Sequence, residues 1–186
     1  MIIYINGPYG VGKTSIARNL IKKIPSSILF DPEEIGFLLN NLIPSKIRKE
    51  SENRGLQFRG PDWTELNLWK KSVVDIGIFL RKEYNQNVII PQTILNKSTL
   101  SYILEGFKKE GEKVYSFCLI AEKEILEERL IKRIKEMRME HLIGTPEFYP
   151  FEKIDQCLEV FSNEKNIDTS GKSVDEISDI LLSRIN

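Results

Sequence analysis

The sequence predicts an α/β fold, a parallel sheet of five strands covered by helices on both faces. Two observations carry that expectation. Short apolar runs alternate with stretches of helical period along the chain, the pattern of strand–helix–strand crossovers that bury both sides of a sheet. The first crossover also contains Gly7-Pro8-Tyr9-Gly10-Val11-Gly12-Lys13-Thr14, which has the form G-x-x-x-x-G-K-[ST] of a phosphate-binding loop and stands between a strand and a helix, as that loop must. At 186 residues the chain has the length of a single domain able to bury a sizeable core, so residues 1–186 are expected to form one three-layer P-loop domain.

The elements follow in order. Ile2-Ile3-Tyr4-Ile5 reads as a strand over 2–6, and Ser15-Ile16-Ala17-Arg18-Asn19-Leu20-Ile21 as part of a helix over 13–23. A second strand, 27–30, ends at Asp31-Pro32-Glu33-Glu34, where proline in the first turn and acids at the positive end suit a helix over 33–43. Segment 44–61, with Pro44, Gly55, Gly60 and Pro61, breaks the alternation. Beyond it come a helix over 62–84, a strand over 87–91 built on Val88-Ile89-Ile90, a helix over 97–110 and an apolar strand over 114–120. A helix over 122–138 precedes Met139 to Pro150, whose Gly144, Pro146 and Pro150 suggest a lid over about 138–151. The last elements are a helix over 151–161, a strand over 165–168 and a helix over 173–185. Ser173 followed by Glu176 forms a capping box for that helix, and Val174, Ile177, Leu181 and Ile185 share a face that packs on the sheet.

Composition narrows the functional classes. Lys and Arg number 27, as do Asp and Glu, so bulk charge points to neither a nucleic-acid nor a membrane partner. Two cysteines, Cys118 and Cys157, make no disulfide framework, and the single His141 leaves little for a zinc site. No apolar run has the length of a membrane span, and the loop begins too near Met1 for a signal peptide. A cytoplasmic protein, monomeric or homodimeric, is expected.

The phosphate loop has a direct chemistry. Phosphate oxygens need several donors and a positive field, supplied by backbone N–H groups of the loop and by the start of the next helix. Gly7, Tyr9, Gly10, Val11, Gly12, Lys13, Thr14 and Ser15 are the expected nucleotide contacts. Lys13 reaches the β- and γ-phosphates, and the Thr14 hydroxyl meets Mg²⁺. Ligands of such sheets bind beyond the carboxyl ends of the strands, which makes those ends a search list. Asp31 closes the second strand, expected to be buried, close to where the phosphates should lie; its carboxylate can take a proton from a hydroxyl or hold water of the Mg²⁺ shell, and it can equally cap the next helix. Glu34 is a second candidate there. In segment 48–62, Arg48, Arg54, Arg59 and Asp62 interleave with Phe58, which suits recognition of a second substrate or merely a solvated loop anchored by Trp63. Gln92 and Thr93 close the third strand and offer hydrogen bonds without charge. The Walker B acid of motor ATPases is missing there. Arg129 and Arg133 lie four apart on one helix face; they can stabilise a transferring phosphoryl group, or belong with their acidic neighbours to a solvated helix. Arg138 is a weaker candidate. Asp168-Thr169-Ser170-Gly171 can lie against an adenine.

Phe30-Asp31-Pro32-Glu33-Glu34-Ile35-Gly36-Phe37, Pro91-Gln92-Thr93-Ile94 and Ile154-Asp155-Gln156-Cys157, taken with the loop, resemble the tunicamycin-resistance ATP-binding proteins over nearly the whole chain. The resemblance implies a nucleotide-kinase-like fold with a central P-loop strand, ATP binding, and a role in resistance to a nucleoside antibiotic. By position, Gly7, Gly12, Lys13 and Thr14 would bind ATP, Asp31 would face the acceptor, and Arg129 and Arg133 would flank the lid. The chain differs from the pattern in the basic stretch Lys132 to Arg138 and in segment 45–60, the regions expected to set specificity. Three functions follow as expectations: a small-molecule kinase using ATP and Mg²⁺, with Lys13, Asp31, Arg129 and Arg133 catalytic; an ATP-dependent protein that sequesters a drug without turnover; and a regulatory NTPase.

Overall fold

A computed structural model describes residues 1–42, 64, 66–139, 153–162 and 165–185. The strands are β1 (Ile2–Asn6), β2 (Ser27–Leu29), β3 (Asn87–Pro91), β4 (Val114–Ile120) and β5 (Ile167–Asp168). The helices among the described residues are α1 (Lys13–Lys23), α2 (Glu33–Leu42), α3 (Asn67–Lys82), α4 (Lys97–Lys109), α5 (Lys123–Glu136), α6 (Ile154–Phe161) and α7 (Val174–Ser183). All strand pairs are parallel, in the order β2-β3-β1-β4-β5. The α/β, three-layer class expected from the alternation is therefore present, with the P-loop strand central.

Strand alternation divides the core in two. Ile3, Ile5 and Leu119 face one layer, where Ile16, Ala17 and Leu20 of α1 pack with Leu126 and Leu130 of α5 and with Ile177 and Leu181 of α7. Ile2, Tyr4, Val88 and Ile90 face the other, against Ile35 and Leu39 of α2, Trp69 and Val73 of α3, and Ile103 and Phe107 of α4. A small third cluster of Cys118, Cys157 and Phe161 seats α6 on β4; both cysteines are buried and outside any disulfide. The Ser173–Glu176 capping box forms as expected, the Ser173 hydroxyl accepting from Glu176 N–H at 3.2 Å.

Several expectations need correction: the helix expected over 62–84 runs Asn67–Lys82 with Leu66 extended before it, and the strand expected over 165–168 is Ile167–Asp168. The strand that Asp31 follows is an edge strand, half-buried along its length, because β2 pairs only with β3. The helix expected over 122–138 ends at Glu136. Arg138 adopts the left-handed conformation at φ 56°, its N–H donates to Lys135 O at 3.1 Å, and Met139 N–H donates to Ile134 O at 3.0 Å. This is a Schellman ending, with arginine where glycine is usual. Arg138→Gly is expected to relieve that strain and stabilise the protein by about 0.5–1 kcal/mol, read as a Tm increase of about 1–4 °C.

Candidate functional site

The site is built on the carboxyl end of β1. Asn6 is 2% exposed, and its side chain ties the start of the loop to the segment after β3. Asn6 Oδ1 accepts from Gly7 N–H and from Ile94 N–H, each at 2.9 Å, and Nδ2 donates to Ile94 O at 3.0 Å. Thr93 Oγ1 donates to Gly7 O at 3.0 Å. Asn6→Ala strands three buried backbone groups and is expected to cost about 2–4 kcal/mol, measured by urea unfolding.

The glycines answer to contact as well as conformation. Gly10 has φ 81°, and a Cβ there would lie 2.8 Å from Leu126 O and 3.1 Å from Leu130 Cγ. Any side chain would push the loop off α5. Gly7, at φ 144°, would drive a Cβ into Leu119 O of β4. Gly12 caps α1 at φ 98° and has no side chain to satisfy the first-turn N–H groups, which leaves those donors to an anion. Lys13 Nζ donates to Gly7 O and Pro8 O, both at 2.9 Å, and stands 5.8 Å from the Tyr9 ring centre. Burial lowers the Lys13 ammonium to about 8. The loop residues thus fit a polyphosphate: donors, curvature and a cation converge.

Opposite the loop stands the start of α2. Asp31 Oδ1 accepts from Glu33 N–H at 3.0 Å, so the capping role considered for Asp31 is realised with one carboxylate oxygen. Trp69 Nε1 donates to Pro32 O at 3.0 Å and fixes this turn from α3. Glu33, half-buried, has its carboxyl raised above the usual range by burial and by Asp31, with Lys13 and Arg133 acting in the opposite sense. Lys13 in turn feels Glu33 and Arg133. Glu33, Lys13 and Arg133 therefore share one electrostatic site. Glu34 is exposed.

Arg129 is occupied by the protein itself. Its guanidinium donates to Thr169 Oγ1 at 2.9 Å, to Thr169 O at 3.0 Å and to Val11 O at 3.4 Å, clamping the loop, α5 and the end of β5 together. Thr169 is 2% exposed. Arg133 is exposed one turn on. Thr14 is half-buried and Ser15 exposed on the first turn of α1, whereas Val11 is buried in the core. Gln92, directly after β3, is buried. Arg59, segment 43–63 and the lid beyond Met139 lie outside the described residues. Sequence reasoning missed two groups. Asn6 carried a signal, a polar residue closing an apolar strand directly before the first glycine. Glu33 was read only as a helix-terminus charge.

The chain matches the family described as an AAA domain over residues 2–163. It belongs to that family. Among solved structures it is similar to the tunicamycin resistance protein of Deinococcus radiodurans, at 28% identity and TM-score 0.71, covering 100% of this chain and 95% of that one. It is also similar to the APS kinase of Mycobacterium tuberculosis in complex with AMPPNP and APS, at 16% identity and TM-score 0.59, covering 99% and 96%. A gluconokinase from Sinorhizobium meliloti follows at 19% identity and TM-score 0.56, covering 99% and 91%. Among curated proteins none matches the chain. The resemblance read from the Phe30 to Phe37 run is borne out by the first of these structures, and the kinase structures share the fold. No helix of the described residues is long and apolar enough to cross a membrane.

Proposed function

We propose that this chain transfers the terminal phosphoryl group of ATP to a hydroxyl of a small molecule, with a nucleoside antibiotic of the tunicamycin type as the candidate acceptor, in the cytoplasm. The observation that carries the reading is the phosphate loop closed on Lys13, whose Nζ donates to Gly7 O and Pro8 O, with the half-buried Glu33 near enough to feel the Lys13 and Arg133 charges. In this reading the backbone of Gly7 to Ser15 binds the phosphates, and Thr14 with a water held by Asp31 holds Mg²⁺. Arg129 and Thr169 border the adenine, while Glu34, Thr93 and Arg59 belong to the acceptor side. The metal supplies charge that offsets the phosphate oxygens. Glu33 takes the proton of the acceptor hydroxyl as its oxygen forms the new bond to phosphorus. Lys13 and Arg133 neutralise the oxygens of the moving group as ADP departs. A proton acceptor of raised basicity and a preplaced cation pair are what such a transfer requires of a protein, since positioning and charge carry the rate.

The test is incubation with γ-labelled ATP and a panel of nucleosides and nucleoside antibiotics. A labelled acceptor that disappears with Glu33→Gln supports the reading. Label released only as phosphate indicates an NTPase. Tight drug binding without label transfer indicates sequestration. Either result overturns the kinase.

A further inference from the structure

We propose that Gln92 reads an uncharged N–H-bearing edge of the acceptor, of the nucleobase or lactam class, from the end of β3, between the start of the phosphate loop and the Asp31 turn. The proposal rests on the acceptor site described above and assigns the chemistry of its deep end. Gln92 directly follows β3, and its N–H donates to Ile5 O at 3.0 Å, while Phe30 N–H donates to Ile89 O at 3.0 Å. These bonds set Gln92 between the Asn6–Gly7 start of the loop and the Asp31 turn. By strand alternation its side chain shares the face of Val88 and Ile90, the face that α2, α3 and α4 cover. Gln92 is 4% exposed, and its Oε1 is buried without a hydrogen-bond partner.

An orphaned buried carbonyl oxygen is costly to the fold, and an arriving donor recovers that cost. Two more such atoms lie on the same face. Tyr4 Oη stands on the strand stripe with Ile2, and Thr99 Oγ1 on the α4 stripe one turn before Ile103. Three of the four orphaned side-chain atoms among the described residues thus gather on this layer. None of the three groups is charged. The charged groups named for the site, Lys13, Arg133, Asp31 and Glu33, belong to the start of α1, to α5 and to the start of α2. A phosphate or carboxylate finds no cation among these three groups. A primary amide offers an acceptor beside a donor, so its complement is a planar edge with N–H next to C=O or a ring nitrogen.

The experiment is calorimetric binding in saturating nonhydrolysable ATP analogue, with uridine, N3-methyluridine, adenosine and N6,N6-dimethyladenosine as probes. At least one parent nucleoside is expected to bind ten-fold or more tightly than its methylated form, and Gln92→Leu to erase that difference. A site built to bond such a group rejects analogues lacking it. The proposal is overturned if neither parent binds while the ATP analogue does, or if methylation changes nothing. It is also overturned if Gln92→Leu binds as wild type with a raised Tm, the mark of an amide facing only water. Should Gln92→Leu fail to fold, the methylated probes on the wild-type protein decide alone. Discrimination without phosphoryl transfer removes the kinase and leaves this inference standing. Phosphorylation of an acceptor that lacks such an edge does the reverse.

Discussion

Lys13→Met is expected to lower kcat/KM for phosphoryl transfer by on the order of 10³ or more, with the protein still folded. Methionine keeps the apolar stem within the loop but removes the ammonium that holds Gly7 O and Pro8 O. Gly7 O keeps the Thr93 hydroxyl as a donor, so the loop retains one of its ties. The same lysine predicts a pH dependence. Burial holds its pKa at about 8, and a bound polyphosphate favours the charged form and raises it. Between about pH 8 and the raised value, ATP binding therefore takes up a proton, and affinity falls by up to about tenfold per pH unit. Calorimetry in buffers of different ionisation enthalpy measures this uptake, which vanishes in Lys13→Met. The effect on stability has the opposite sign. The folded pKa lies below that of the unfolded chain, near 10.4, so above about pH 8 the unfolded state holds more protons and Lys13 makes stability rise with pH across that window.

The fold was legible because its signals are periodic and local. The apolar run Ile2 to Ile5 predicts a buried central strand, and all five residues of β1 are buried. The two helix ends show where legibility stops. α4 closes with Gly111 in the left-handed position, its N–H donating to Lys108 O at 2.9 Å, and its predicted end at 110 lies one residue past the observed one. α5 closes in the same geometry on Arg138, a residue that carries no stop signal, and the expectation overran to 138. The site divides in the same way. The loop is a contiguous motif, so its residues could be named in order. The clamp of Arg129 on Thr169 and the tie of Asn6 to Ile94 join positions 40 and 88 residues apart, and no local pattern announces such pairs. Glu33 was overlooked because Asp31, Glu33 and Glu34 are equivalent on paper. Only the turn of α2 decides which acid caps, which is half-buried beside Lys13 and which faces water.

Glu33→Gln separates those acids by experiment. It is expected to lower kcat by about 10²–10⁴ with little change in KM for ATP, because in the proposed transfer Glu33 acts on the acceptor hydroxyl rather than on the phosphates. It is also expected to raise stability at neutral pH. The Glu33 carboxyl is raised, first by burial and then by Asp31, so its ionised form is disfavoured in the folded state. Its contribution to stability is complete below the unfolded pKa and is lost as pH rises through the folded value. Glutamine does not titrate, so the Tm difference between variant and wild type should be near zero in acid and positive at pH 7, where active-site strain commonly opposes stability. Asp31→Asn should behave differently, since asparagine still offers an oxygen to Glu33 N–H and caps a helix as well as aspartate does. Stability is expected to hold, with a smaller loss of rate than in Glu33→Gln. The acid limb of the kcat/KM profile then assigns the base: it should lie above the ordinary glutamate range in wild type and in Asp31→Asn, and be absent in Glu33→Gln. A profile that disappears with Asp31→Asn instead would move the proton to Asp31 and leave Glu33 as an electrostatic neighbour.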